Sequence, residues 1–228
     1  MYLEQQVPFY SNLSAKLQEI FRRKLKIFIW EKHFIGAGGL SITDEIKVVI
    51  SAAAVRLILF LDLAYYDRLT EIVVYPHQFK HPDSEDIMLG EAHNWGTVVL
   101  SDSAVRFGLK YPCDGHDTAT HEFAHVLDRA SGNFNGTPRL RSSKHYHPWA
   151  RVMSYHYLRL KNGDQRQSEV LRRYGAKNEA EFFAVATESF FERPVQMKQL
   201  TPDLYEELKR FYGFDPVNDP TCGFRPRS

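Results

Sequence analysis

The stretch 117–130, DTATHEFAHVLDRA, decides the fold, because it sets His121-Glu122-Phe123-Ala124-His125 on a predicted helix that Gly132 ends. Residues at i and i+4 share one helical face a turn apart, so the two imidazoles can reach one cation. Glu122 projects about 100° round the helix, where it can address a metal-bound water without ligating the metal. Zinc lowers the pKa of such a water to ~7, and a carboxylate can then take its proton as it attacks a carbonyl. Ten His and 15 Glu among 228 residues give the bare pattern by accident in roughly 3% of such chains. The plain alternative, two histidines serving only core or surface, therefore stands second.

A catalytic zinc takes three protein ligands and keeps its fourth position open. Glu181 and Glu188 share one face of a helix expected from Asn178 to Glu192. Glu181 also stands three residues after Asn178, where it could complete a capping box. Glu188 reads equally well as a charge on a helix face. His145 and His147, alternating in the loop after the motif helix, are weaker rivals. Spacing alone leaves the two glutamates level. Asp128 falls on the ligand face, where it either fixes the tautomer of a ligand histidine or only closes the helix. Cys113 reads as a small hydrophobe, not as a thiolate ligand.

Outward from the motif, Leu17, Ile20, Phe21, Leu25 and Phe28 mark a helix from Ser14 to about His33. Its basic residues Arg22, Arg23, Lys24 and Lys26 read as a solvated face. Gly36-Ala37-Gly38-Gly39 lacks the ending of a phosphate loop and reads as a flexible connection. Thr43 or Asp44 caps a helix to about Leu63, apolar nearly all round and so central to the core. Glu71–Tyr75 and Thr97–Ser101 are strands, and 77–94 is a polar surface loop. Thr97–Ser101 is either an edge strand that pairs with extended substrate or, lacking alternation, a buried core strand. Asn133–His147 is loop, and Pro148 opens a helix as its first residue, running to about Lys161. Further helices are expected at about 167–174, 178–192 and 202–211. Nothing repeats and no linker divides the chain. The expectation is one α+β domain over residues 1–228, mainly helical with a small sheet, with the 14–33 helix packed on it.

Hydrophobic residues make up 43% and charged residues 25% of the chain, enough apolar surface for a packed core without disulfides. A net charge of +1 leaves no electrostatic footprint for nucleic acid or an anionic membrane. The most apolar stretch, Val48–Leu61, is broken by Arg56 and falls far short of the ~20 residues a bilayer span needs. The run 1–10 holds Glu4, Gln5, Gln6 and Pro8 where a signal peptide needs an apolar segment. Two cysteines, Cys113 and Cys222, suit a reducing compartment. A cytoplasmic protein with neither membrane nor direct nucleic-acid partners is expected.

The chain resembles the Mlc titration factor A family of zinc-dependent peptidases. The resemblance is carried by Gly38-Gly39-Leu40 followed by Thr43-Asp44-Glu45, by Tyr75-Pro76, by HEFAHVLD at 121–128 and by EFFAVATESFFERP at 181–194. These motifs span about residues 28 to 216. The resemblance implies a zincin-like fold whose third zinc ligand is a downstream glutamate, with an active-site tyrosine seven residues before it. Tyr174 stands at that offset from Glu181, whereas the residue so placed before Glu188 is Glu181 itself. The same spacing is similar to that of the anthrax lethal factor catalytic domain. By resemblance, then, Glu181 is the third ligand, Tyr174 lies in the active site, and Glu188 stands behind the ligands or at the surface. A tyrosine hydroxyl there can stabilise a developing oxyanion.

The resemblance further implies bound zinc, a peptide substrate and aminopeptidase-like action on small unblocked substrates. No residue to hold a free amine is identified; Asp114 and Asp117 are merely near the motif helix. A rival role is sequestration of a transcriptional repressor, for which the family is named. A structural zinc closed by His145 or His147 is a third reading, but it would have no use for Glu122.

Overall fold

A computed structural model describes residues 2–80, 87–92 and 96–218. Two short helices, α1 (Tyr2–Gln6) and α2 (Pro8–Ser11), precede α3 (Ala15–Glu31). The Ser14 side chain caps α3 by accepting from the Leu17 amide. Phe21, Leu25 and Phe28 bury along its apolar stripe. After the strand β1 (His33–Gly36) comes α4 (Asp44–Leu57), capped by Thr43 and packed against α3. Every residue of α4 from Val49 to Leu57 is buried, the guanidinium of Arg56 included.

Two expectations fail around α4. The helix ends at Leu57 instead of near Leu63, because Lys24 of α3 binds the carbonyls of Ile58 at 2.7 Å and Leu59 at 3.2 Å. Carbonyls at a helix end have no intrahelical partner, and a lysine there satisfies them. Lys24 is therefore half-buried and not part of a solvated face. Gly36 is likewise no flexible connection. It ends β1, and a Cβ on it would lie 1.9 Å from the Leu40 carbonyl oxygen, so the chain folds back on itself only because no side chain is there.

The remaining strands are β2 (Glu71–Tyr75), β3 (Phe79–Lys80), β4 (Ile87–Met88), β5 (Gly90–Ala92) and β6 (Thr97–Ser101). The main sheet has the order β1-β2-β6-β5. β1, β2 and β6 run parallel, and β5 lies antiparallel on β6 with Gly90 opposite Leu100 and Ala92 opposite Val98. The 77–94 region is thus not plain loop; its residues 81–86 and 93–94 lie outside the described ones. Thr97–Ser101 is the buried core strand of the two alternatives, and β5, like β1, is an edge strand.

Ser101 caps α5 (Asp102–Lys110), a helix that periodicity did not mark. Next come α6 (Thr118–Arg129), α7 (Tyr146–Lys161) and α8 (Gln165–Ser168). α7 starts before Pro148, leaving the proline inside a first turn whose amides have no intrahelical acceptor. The helix expected at 167–174 is instead α8 and a 3-10 turn, Arg173–Ala176, because Val170 and Leu171 turn into the core between them. α9 (Glu179–Glu192), α10 (Pro194–Leu200) and α11 (Pro202–Tyr212) complete the described fold. Pro194 stops α9 as expected but also opens α10. The architecture is mostly helical with a small mixed sheet, and α6 packs against α4, α5, α9, β5 and β6. Among the described residues no helix is long and apolar enough to cross a membrane. Cys222 lies outside them.

Candidate metal centre

Helix α6 is held at its start by charge. Asp117 caps it, accepting from the Thr120 amide at 2.9 Å, and the buried Arg56 of α4 donates to Asp117 Oδ2 at 2.5 Å and to the Thr120 hydroxyl. Phe123 and Leu127 anchor the opposite face of α6 in the core. Helix α9 is capped by Asn178, which accepts from the Glu181 amide at 2.9 Å. The capping box is only half made, because the Glu181 side chain turns to α6.

His121, His125 and Glu181 converge there. The two Nε2 atoms are 3.1 Å apart, and Glu181 Oε2 lies 3.0 Å from the first and 3.3 Å from the second. Ligand atoms ~2.0–2.1 Å from a tetrahedral zinc would stand about 3.3 Å from one another. His121 Nδ1 donates to Glu188 Oε1 at 2.6 Å, so Nε2 presents its lone pair to the cluster whenever the ring is neutral. With His125 also deprotonated at Nε2, three lone pairs would point at one spot, an arrangement that a cation relieves. The donor set fits zinc by chemistry and by spacing, and these three residues could hold such an ion.

Electrostatics agree. Burial opposes charge on His121, yet its hydrogen bonds to Glu181 and Glu188 raise its pKa to about 10. Burial lowers that of His125. For Glu181 burial acts upward, but the bonds to His121 and His125 win and hold its carboxyl well below the usual range. The cluster thus holds a proton where a metal ion would sit, and metal binding would release it.

Glu188 lies behind His121, fully buried. It receives His121 Nδ1–H, the Arg172 guanidinium and the Asp117 amide, the last at 3.1 Å. His145 and His147 fall in the 3-10 turn and first turn before and within α7, outside the cluster. Asp128 does not bond to a ligand histidine. It accepts from the Gly136 amide at 2.8 Å and so fastens the loop after α6. Cys113 is not among the converging donors.

Glu122 sits one position round from His121 and faces the edge strand. A Cβ on Gly90 of β5 would lie 2.8 Å from Glu122 Cγ and 2.8 Å from Thr118 Cγ2. Glycine is what lets the edge backbone rest directly on this carboxylate. Burial, helped by Glu181 and Glu188, pushes Glu122 up to about 7 although His121 pulls it down. Tyr174 lies over the cluster, with its ring centroid 5.8 Å from that of His121 and its hydroxyl 3.4 Å from Glu181 Oε1. The residue is 46% exposed.

The five residues singled out from sequence and resemblance, His121, Glu122, His125, Tyr174 and Glu181, therefore occupy one place. Arg56, Gly90 and Arg172 complete their surroundings and were not found from sequence. Each lies far along the chain from what it touches, or within a stretch without periodicity.

A family model described as "Glucose-regulated metallo-peptidase M90" matches residues 1–213. Protein slr2042 of Synechocystis sp. is 33% identical, covering 94% of this chain and 83% of that protein. Mlc titration factor A of Edwardsiella ictaluri is 26% identical over 92% of this chain and 85% of its own. That of Cronobacter sakazakii is 25% identical over 92% and 84%.

Proposed function

The chain belongs to the glucose-regulated metallo-peptidase M90 family, and on that premise we propose that it is a zinc-dependent peptidase of zincin-like fold. His121, His125 and Glu181 would hold the zinc. The observation that carries this reading is their convergence, with edges of 3.0–3.3 Å, beside a carboxylate that contributes nothing to the cluster. Zinc held there would supply Lewis acidity and would make a water acidic enough, with a pKa of ~7, to be deprotonated near neutral pH. Glu122 takes the proton of the attacking water and returns it to the leaving amine, a task suited to a carboxylate whose pKa lies near 7. The Tyr174 hydroxyl donates to the oxyanion that forms at the carbonyl. Its pKa is pushed up to about 12 by burial and by Glu181, so it keeps its proton and remains a donor. Glu188 orients His121, and Arg172 neutralises Glu188. The free edge of β5 pairs with extended substrate through its backbone. Action is aminopeptidase-like, on small unblocked substrates.

The deciding experiment compares zinc-loaded wild type with Glu122→Gln on aminoacyl chromogenic amides and short peptides, with metal content measured in both. Hydrolysis by wild type that falls ~10²–10⁴-fold in the variant at equal zinc supports the assignment. Equal rates in the two proteins would sink it.

The relatives named Mlc titration factor A favour a second reading, in which the chain binds and sequesters a transcriptional repressor. Capture of that regulator by the Glu122→Gln protein, whose turnover is disabled, separates binding from hydrolysis.

A further inference from the structure

Beyond His125, where α6 presents Val126 and Arg129, lies a separate cavity of about 250 Å³. Arg68, Gly96, Thr97 and Phe134 close it. Phe134 joins it to the metal centre: its ring centroid is 5.1 Å from that of His125, and the Arg129 guanidinium carbon lies 4.3 Å from it. Three residues of extended peptide, at about 3.3 Å each, cover that span.

Two guanidiniums line this cavity, and neither forms a contact ion pair among the described residues. Arg129 is half-buried; it gives one N–H to the Ala92 carbonyl at 2.6 Å, while its buried Nε has no hydrogen-bond partner. The neighbouring Asp128 is turned away to the Gly136 amide. Arg68 is exposed, with its Nη2 near Gly132. Among the described residues, no carboxylate comes within ion-pair distance of either arginine. Burial presses the Arg129 pKa downward, while the charges of Asp128, Glu122 and Glu91 act the other way.

We propose that this cavity is a subsite for a carboxylate, supplied by an Asp or Glu side chain of the substrate within three residues of the scissile bond. The proposal rests on the peptidase reading. A carboxylate can accept from both guanidiniums at once. A neutral side chain gains no such charge-assisted bonds, and a basic one is repelled. The volume suits one side chain and is small for a cofactor. A free dicarboxylate would offer the same chemistry, and the experiment separates the two.

Zinc-loaded wild type and Arg68→Gln are given pentapeptides of alanine in which one glutamate, or one glutamine, is walked through every position. Glutarate is tested as an inhibitor in parallel. The expected result is a kcat/KM for the glutamate peptide about tenfold above its glutamine twin at one position, weakened by salt and lost in Arg68→Gln. The all-alanine peptide is cleaved equally by both proteins. Equal cleavage of glutamate and glutamine peptides at every position overturns the proposal. Inhibition by glutarate without any positional preference also overturns it, and assigns the cavity to a free carboxylate. If no peptide is cleaved, the peptidase reading has failed. Calorimetry with the Glu122→Gln protein then decides the subsite alone: tighter binding of the glutamate peptide, abolished by adding Arg68→Gln, supports it, and equal binding overturns it.

Discussion

His121 and Arg172 meet on one atom, Glu188 Oε1, which lies 2.6 Å from the imidazole Nδ1 and within ion-pair contact of the guanidinium. The carboxylate fixes the histidine tautomer from behind, and the arginine pairs with that carboxylate in a buried place. Such an arrangement raises the basicity of the ring nitrogen that faces the metal. Glu188→Gln removes the charge and keeps the size, so zinc affinity should fall ~10–100-fold. Competition against a chromophoric chelator measures it, and unchanged affinity would make Glu188 a packing residue only.

Gly90→Ala should reduce turnover more than tenfold while zinc content stays at wild-type level. The new methyl group collides with Glu122 Cγ and Thr118 Cγ2, both 2.8 Å away, so either the carboxylate or the edge strand must shift. Overpacking of this kind costs about 1–3 kcal/mol of stability. Parallel zinc analysis, thermal melts and kinetics check the prediction.

For Tyr174→Phe the expected outcome is a drop of about 10²-fold in kcat with KM and zinc affinity little changed. The hydroxyl is aimed at the cluster from a half-exposed position and closes no core contact that phenylalanine would lose. A change confined to KM would remove the oxyanion role.

Asp128 gives the fold a pH dependence. Burial raises its pKa to about 6, against backbone amides of the 135–137 loop that lower it. The folded state therefore prefers the neutral acid. Its contribution to stability is complete below the unfolded pKa near 3.8 and is lost as pH rises through about 6. Asp128→Asn keeps an acceptor for the Gly136 amide and should flatten the stability curve between those values, as urea titrations across pH 3.5–7 would show. An unaltered slope would mean that the carboxyl ionises without cost.

Much of the centre was legible because its chemistry is local. His121, Glu122 and His125 lie on one helix, and helical geometry alone brings two imidazoles together. Glu181 and Glu188 share a face and were indistinguishable by spacing; the Tyr174 offset, known by resemblance, separated them. What separates them physically is how far each stands along α9 from His121, a matter of how two helices pack. The edge strand was illegible, since three residues in a polar stretch show no period. Lys24 was misplaced for a related reason: the other basic residues of its helix, Arg22, Arg23 and Lys26, are exposed, while its partners are carbonyls at 58, 59 and 61.

The span of these contacts along the chain bears on the order of events in folding. Arg56 reaches Asp117 across 61 residues, and His121 reaches Glu181 across 60 and Glu188 across 67. No short segment holds the three metal donors, so a cation has nothing complete to grip until α4, α6 and α9 have docked. Contacts this distant form slowly, after loop-closure entropy has been overcome. A cation bound at this place would therefore be a late guest in a finished chain, unlike the metal of a zinc finger, around which the polypeptide must condense.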